Sequence, residues 1–264
     1  MNFGLIIVGD EILSGKRQDK HLAKVIELLG ARGLSLAWAR YVGDDRERMT
    51  ATLREAFATR DVVFSCGGIG ATPDDHTRQA AAAALGVPLL LHPEAKALIQ
   101  ERMRDVAAEQ GTPYEPDRPD NVHRLNMGVF PEGAAIIPNP YNKIPGFSVG
   151  DVHFVPGFPV MAHPMIEALL DGRYAALHGS HRQVEQSVIV FGGMEATLTP
   201  LMEAVEQEHP GVKVFSLPSV DHPQYGRHIE LGVKGAAALV PAAYERLLSA
   251  LRGMALTLGP EMVR

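Results

Sequence analysis

Residues 61–77 read DVVFSCGGIGATPDDHT, and this stretch decides how the rest of the chain is interpreted. The apolar run at 62–64 predicts a buried strand, and the glycines that follow it predict a tight turn. The Pro-Asp-Asp sequence then predicts the start of a helix that continues through the alanine-rich run at 78–85. Glycines at such a turn let backbone N–H groups approach a phosphate closely, and the new helix directs its partial positive end to the same place. The stretch therefore predicts a phosphate site, with backbone donors at Gly67, Gly68 and Gly70 and Thr72 beside them.

Two acidic residues, Asp74 and Asp75, would lie next to this turn. Carboxylates repel a bare phosphate, but they accept a phosphate that arrives with a divalent cation. The pattern thus indicates a nucleotide or phosphorylated-cofactor site. A purely structural role fits Asp75 equally well, because Thr72 and Asp75 have the spacing of a helix-capping pair.

The composition is typical of a globular protein with a substantial core: 264 residues, 46% hydrophobic and 21% charged, with a formal net charge of −6. The absence of a long basic run argues against a nucleic-acid binder. The single cysteine, Cys66, allows no intrachain disulfide. The N-terminal sequence MNFGLIIVGDEI lacks the basic region of a signal peptide, and no apolar run reaches the ~20 residues of a membrane span. We expect a cytoplasmic protein without nucleic-acid or membrane partners.

Short apolar runs alternate with helical patterns through the first part of the chain. Strands are predicted at 3–8, 34–42, 62–65 and 87–91, and helices at 19–29, 45–58, 74–85 and 93–110. Such alternation predicts an α/β fold with a mostly parallel sheet and helices on both faces. Proline-rich stretches at 111–121 and 131–159 predict tight turns and edge strands, including 134–137 and 152–155. A helix ending near residue 170 closes the domain.

The order of predicted strands and helices changes after a polar hinge at 171–180. Strands are predicted at 184–191, 212–217 and 227–233, and helices at 196–207 and 242–251. This β-α-β-β-α order predicts a small α+β domain with an antiparallel sheet. We place the two domains at 1–175 and 181–255.

Further acidic residues follow two other predicted strands. Asp44 and Asp45 come after the second strand, and Asp10 comes after the first. Ligands bind beyond the carboxyl ends of parallel strands, so we expect Asp44 to face Asp75 across a cleft and to share a metal ion with it or polarise a nucleophile. Asp10 is a weaker candidate metal ligand, and Asp45 is better explained as the cap of the next helix.

The sequence VPGFP at 155–159 again joins a strand to a helix, and Gly157 predicts a second anion seat there. The segment 139–147 would fold over it as a lid, with Lys143 as its phosphate-binding cation. The histidines lack zinc-site spacing. Cys66 is better explained as a small buried residue than as a nucleophile.

Five motifs occur in order over roughly the first 170 residues: VGDEILSG, YVGDD, SCGGIGATPDDHT, PNPYNKIPGF and VPGFP. As a set they resemble the molybdopterin-binding fold of the MogA and MoaB proteins, and most closely its CinA branch of competence/damage-inducible proteins. The resemblance implies a three-layer α/β/α domain and a homo-oligomer, a trimer as in MogA-like proteins or a dimer as in the CinA branch. Residues 183–254 resemble the small middle domain of CinA. We therefore expect a short form without the C-terminal nicotinamide mononucleotide deamidase domain of long CinA proteins.

In the MogA family, aspartates at the positions of Asp44 and Asp75 serve the adenylylation of molybdopterin. In the CinA branch the same pocket is associated with metal-dependent cleavage of pyrophosphates such as ADP-ribose, and FAD synthetase relatives hydrolyse FAD. Ile69 replaces the threonine of the MogA-type turn, which fits the CinA side. Ala71 replaces a usual proline, and the acidic residue that usually follows the VPGFP turn is missing.

The resemblance implies a nucleotide pyrophosphatase that uses Mg²⁺, Mn²⁺ or Co²⁺ held by Asp44 and Asp75. Two alternatives remain open. One is a molybdopterin adenylyltransferase or molybdopterin-binding protein of molybdenum cofactor biosynthesis, with a pterin phosphate as ligand. The other is a non-catalytic module that binds a phosphorylated cofactor.

Overall fold

The computed structural model describes residues 1–179 and 183–264. The chain divides into two compact units, Met1–His178 and Gly179–Arg264. Residues 180–182, which include the end of the predicted hinge and the predicted start of the second domain, lie outside the described residues.

The first unit alternates strands and helices before it becomes rich in short strands. Its elements are β1 (Phe3–Val8), α1 (Asp10–Leu13), α2 (His21–Gly30), β2 (Leu36–Val42), α3 (Arg46–Ala58), β3 (Val62–Cys66), α4 (Thr77–Leu85), β4 (Leu89–Leu91), α5 (Pro93–Glu109), α6 (Pro119–Arg124), β5 (Val129–Pro131), β6 (Ala135–Ile137), β7 (Gly146–Val149), β8 (Val152–Val155) and α7 (Pro159–Asp171).

The main sheet has the strand order β2-β1-β3-β8-β7-β6. Strands β2, β1, β3 and β8 are parallel, whereas β7 and β6 run antiparallel to their neighbours. Every residue of β1, β3 and β8 is buried, as expected for strands covered on both faces. One apolar cluster packs α2 and α7 on one face, and a second packs α3, α4 and α5 on the other. The predicted α/β fold with helices on both faces is confirmed.

Several predicted boundaries were wrong for identifiable reasons. Helix α4 begins at Thr77 and not at 74, because residues 72–75 form a separate turn in which the Thr72 N–H donates to Asp75 Oδ2. The strand predicted at 87–91 is shortened to β4 and pairs antiparallel with β5, outside the main sheet. The short helices α1 and α6 were not predicted, and helices of one or two turns carry too little periodicity to show in sequence.

The second unit contains β9 (Gln183–Phe191), α8 (Glu195–Glu208), β10 (Val212–His222), β11 (Gly226–Ala236), α9 (Val240–Arg252) and β12 (Thr257–Val263). Its antiparallel sheet has the order β10-β11-β9-β12, and one apolar cluster joins the sheet to α8 and α9. Strand β12 extends this unit beyond the predicted 255. This strand contains Pro260, and a register shift between Leu258 and Glu261 accommodates the proline within the pairing with β9.

Over the described ranges, none of the helices combines the length and the apolar character needed to cross a bilayer.

Candidate functional site

The carboxyl ends of the four parallel strands meet at one edge of the main sheet, and the loops that follow them line a cleft of about 670 Å³. Seven residues predicted from sequence to bind or act on a ligand line this cleft: Asp44, Gly67, Gly68, Gly70, Thr72, Asp75 and Gly157. The cleft also contains Glu11, Lys16, Arg17, Asp74 and Phe158. The structure therefore brings together the ends of β1, β2, β3 and β8, as the parallel-sheet argument requires.

The turn after β3 needs glycine at two consecutive positions. Gly67 and Gly68 have φ values of +110° and +67°, which L side chains rarely adopt. A Cβ at Gly67 would lie 2.6 Å from the Val8 carbonyl oxygen, and one at Gly68 would lie 2.2 Å from Thr77 Oγ1. The turn thus passes closer to β1 and α4 than any other residue type permits.

The donors of this turn differ from those predicted. The Gly67 N–H donates to Val155 O at 3.0 Å, so it extends the β3–β8 pairing and does not face a ligand. Thr77 holds the turn from the other side, since its N–H donates to Gly68 O and its hydroxyl donates to Gly67 O, both at 3.0 Å. The N–H groups of Gly68, Ile69 and Gly70 have no acceptor within the described part of the chain. These three N–H groups, and not that of Gly67, are therefore the donors of the turn that are left unpaired in the described residues.

Asp75 contacts Thr72, as the spacing of the two residues predicted, and it also lines the cleft. Its Oδ2 accepts the Thr72 N–H at 2.8 Å and also the Thr72 hydroxyl. The pair closes the 72–75 turn and not the first turn of α4, so Thr72 is not the predicted helix N-cap. A Cβ at Gly70 would lie 2.5 Å from the same Oδ2. The carboxylate of Asp75 is therefore fixed against the glycine turn at the wall of the cleft.

Asp44 and Asp10 form a reciprocal pair across the ends of β2 and β1. The Asp10 N–H donates to Asp44 Oδ2 at 3.0 Å, and the Asp44 N–H donates to Asp10 Oδ1 at 3.2 Å. Burial raises the pKa of Asp44, the Asp10 N–H bond opposes this, and the charges of Asp10, Glu11 and Asp74 add to the rise. Asp10 itself is not among the cleft-lining residues, so its contribution is to hold Asp44 in place.

Asp45 behaves as its sequence position predicted. Its Oδ1 accepts the Arg48 N–H at 2.7 Å, which makes it the N-cap of α3. It does not line the cleft, although it adjoins Asp44.

Arg78 was missed by the sequence reasoning. Its side chain is 4% exposed, its Nη1 donates to Ile69 O at 2.7 Å, and it forms no ion pair with any carboxylate in the described ranges. Burial lowers the pKa of Arg78, and the nearby charge of Asp75 opposes that shift. A buried guanidinium beneath the turn supplies positive potential where an anion would sit. The sequence signal was a single arginine on an otherwise alanine-rich helix.

Lys143 does not belong to this cleft, contrary to the prediction. Its Nζ donates to Glu101 and Asp105 of α5, both at 2.6 Å, and it is absent from the cleft lining. These hydrogen bonds raise the pKa of Lys143. Because two carboxylates already satisfy this ammonium, we leave it out of the ligand site.

The candidate metal ligands in the cleft are carboxylate oxygens, which suit a hard cation. No three His, Cys, Asp or Glu side chains in the described residues converge closely enough to enclose a metal ion. Mg²⁺ is commonly held by one or two carboxylates together with substrate phosphates, so these residues fit a cation that shares its ligands with a diphosphate. Cys66 is buried, and burial raises the pKa of its thiol, which matches its interpretation as an inert core residue.

Comparison with known proteins agrees with the fold. The model of the probable molybdopterin binding domain family matches residues 4–176. A protein of Pyrobaculum calidifontis is 32% identical over 262 residues, which cover 94% of this chain and 95% of that protein. A CinA-like protein of Anaeromyxobacter sp. (strain Fw109-5) is 31% identical over 260 residues, which cover 95% of this chain but 58% of that protein.

A solved structure, that of the protein CinA with unknown function from Thermoplasma acidophilum, superposes with a TM-score of 0.53 at 28% identity. The superposition covers 64% of this chain and 96% of that one. The chain spans just over half the length of the Anaeromyxobacter relative. It belongs to the probable molybdopterin binding domain family and is a CinA-type member of it.

Proposed function

We propose that this protein is a metal-assisted nucleotide pyrophosphatase that cleaves a diphosphate such as ADP-ribose or FAD. The observation that carries the proposal is the meeting of two kinds of group in one cleft. The carboxylates of Asp44 and Asp75 lie in the same cleft as the glycine turn, whose Gly68, Ile69 and Gly70 N–H groups lack acceptors in the described residues. Acids alone would repel a diphosphate, and backbone donors alone would only bind one.

The size of the cleft supports a nucleotide-sized ligand. At about 670 Å³ it lies within the range of small-molecule sites in proteins. Arg78 beneath the turn and Lys16 and Arg17 in the cleft add positive charge to balance the phosphates. The exposed ring of Phe158 offers a flat apolar surface for a base.

The reaction needs water to attack one phosphorus of the diphosphate. The new P–O bond forms as the bond to the bridging oxygen breaks, so ADP-ribose and water give AMP and ribose 5-phosphate. The turn donors hold the non-bridging oxygens, and Asp44 orients the attacking water and accepts its proton. A divalent cation shared by Asp44, Asp75 and the substrate would supply charge neutralisation.

The test is release of AMP from ADP-ribose or FAD by the purified protein, with Mg²⁺, Mn²⁺ or Co²⁺ and with chelator. Asp75→Asn should reduce turnover by about 10²-fold or more, while one amide oxygen still accepts from Thr72 and the fold is kept. Asp45→Asn is the matched control, since asparagine also caps helices and Asp45 lies outside the cleft. Full activity in Asp75→Asn, with unchanged thermal unfolding, would rule out the proposed role.

A second function is favoured by the description of the matching family, which is a molybdopterin-binding domain. The same turn would then hold a pterin phosphate, and the carboxylates would serve adenylyl transfer to it. Co-purified pterin fluorescence, or rescue of molybdoenzyme activity in a deficient strain, would support this function over hydrolysis. Tight binding of a phosphorylated ligand without turnover under any of the three metals would instead indicate a non-catalytic binding module.

A further inference from the structure

We infer that His21 is a positioning residue, which turns the Phe158 N–H into the cleft by holding the carbonyl of Gly157. This inference rests on the proposed function, since it concerns how the same cleft holds a phosphate. His21 is the first residue of α2, far in sequence from the VPGFP turn, and nothing in its local sequence marks it as part of the site.

The contact itself is a hydrogen bond of 3.0 Å between His21 Nε2 and Gly157 O. His21 is 4% exposed, so this bond lies behind the cleft wall and not in the cleft. A carbonyl accepts but does not donate, so the proton must lie on Nε2. His21 Nδ1 then carries a lone pair, and it is buried without a partner in the described residues.

The hydrogen bond to the Gly157 carbonyl also sets the direction of the next N–H group, that of Phe158. The Gly157–Phe158 peptide is trans, and in a planar trans peptide the C=O and the following N–H point in opposite directions. Because the Gly157 carbonyl points inward to His21, the Phe158 N–H points outward, on the side where both residues line the cleft. The N–H of Phe158 therefore joins the donors of the glycine turn.

The position of this donor matches the second anion seat. A Cβ on Gly157 would lie 3.4 Å from Gly67 Cα, so the two loops are in contact. Phe158 is the N-cap of α7, and its carbonyl already accepts the Met161 and Ala162 N–H groups at 2.9 Å. Pro159 contributes no N–H. The Phe158 N–H has no acceptor among the described residues, so it is the first donor at this helix end that a ligand could use.

His21 is itself held in place on several sides. Asp19 accepts the His21 N–H at 2.8 Å and the Leu22 N–H at 3.1 Å, and Tyr41 donates to the same carboxylate at 2.9 Å. His163 of α7 packs edge-on against the His21 ring, with centroids 5.3 Å apart. Because Asp19 anchors its backbone and His163 packs against its ring, His21 can hold a backbone carbonyl in one orientation.

The experiment measures binding of inorganic pyrophosphate with Mg²⁺ by calorimetry and turnover of ADP-ribose, on the whole chain. His21→Leu removes the donor and should weaken pyrophosphate binding about tenfold and raise KM by a similar factor, with a smaller change in kcat. His21→Gln keeps an N–H at a similar reach and should restore affinity to within about threefold. His178→Leu is the matched control and should leave pyrophosphate affinity unchanged, because it removes a histidine Nε2 that contacts a backbone carbonyl, that of Leu170 at 3.0 Å, outside the cleft.

Wild-type pyrophosphate affinity in a folded His21→Leu variant would overturn the inference. A readout that needs no variant is the amide resonance of Phe158 in ¹⁵N-phenylalanine-labelled protein, which should shift on pyrophosphate addition; an unmoved resonance in a protein that binds pyrophosphate would also overturn it. Absence of both pyrophosphate binding and turnover in the wild type would instead remove the proposed function, and this inference with it.

Discussion

Asp10 and Asp44 each hold the other's backbone, because the N–H of each donates to the carboxylate of its partner, at 3.0 and 3.2 Å. The pair ties the loop after β1 to the loop after β2. Only Asp44 lines the cleft, and its pKa is raised, mainly because burial disfavours its charge. The Asp44 carboxylate therefore stabilises the loop through its hydrogen bond, while its negative charge is disfavoured by burial.

This relationship predicts opposite effects of Asp44→Asn on stability and on activity. A carboxyl whose pKa is raised in the folded state binds its proton more tightly there than in the unfolded chain. Its contribution to stability is full below about pH 3.9, the ordinary value for aspartate, and is lost as pH rises through the folded pKa. At neutral pH the ionised Asp44 carboxylate therefore lowers the free energy of unfolding. Asparagine still accepts the Asp10 N–H but carries no charge.

We therefore expect Asp44→Asn to unfold at a temperature equal to or above that of wild type at pH 7, and to lose this advantage at about pH 4 and below. Turnover of ADP-ribose should fall by about 10²-fold or more. Thermal unfolding across a pH series, beside the turnover assay, measures both. Asp45→Asn provides the comparison; a variant of Asp44 that is active like this control would contradict the assignment.

Gly68 should be irreplaceable for binding and not only for folding. Its φ of +67° would cost an alanine roughly 1–2 kcal/mol, and the new Cβ would also meet Thr77 Oγ1 at 2.2 Å. Gly68→Ala should lower the free energy of unfolding and abolish detectable pyrophosphate binding, because the turn must move to clear Thr77.

Gly150 gives a matched control for the cost of a positive φ without a steric clash. Its φ is +56°, and a Cβ there would meet no atom within 4 Å. Gly150→Ala should show a stability loss of about 1 kcal/mol with unchanged pyrophosphate affinity. Equal affinity in the two variants, measured by calorimetry, would show that the glycine turn does not form the phosphate seat.

The side chain of Phe158 should contribute to binding of the base, whereas its backbone N–H, which Phe158→Ala retains, serves the phosphates. It lines the cleft with 55% of its surface exposed, and stacking of an aromatic side chain on a base is worth roughly 1–3 kcal/mol. Phe158→Ala should weaken binding of ADP-ribose about tenfold but leave pyrophosphate affinity within about twofold. Tyr141→Ala removes an aromatic ring that is 61% exposed and outside the cleft lining, so it should change neither. Parallel losses for both ligands on Phe158→Ala would count against stacking.

Features set by interactions between near neighbours in the chain were predicted correctly from the sequence. The N-cap role of Asp45 follows from short-range hydrogen bonding, and the glycines of the turn follow from backbone sterics. The prediction for Lys143 was wrong because a long-range contact decides its position. Its loop position suggested a free cation, but α5 presents Glu101 and Asp105 to it, and a contact over some forty residues leaves no trace in the local pattern.

The sequence by itself determined the parallel sheet, the glycine turn and the acidic strand ends, because strand periodicity, backbone sterics and helix capping all act between near neighbours. Only the tertiary structure decided which groups serve the cleft. It committed the Gly67 N–H to Val155, buried Arg78 beneath the turn, and placed His21 against Gly157. These contacts depend on which elements the packed core brings together, and hydrogen-bond partners are chosen only once that packing exists.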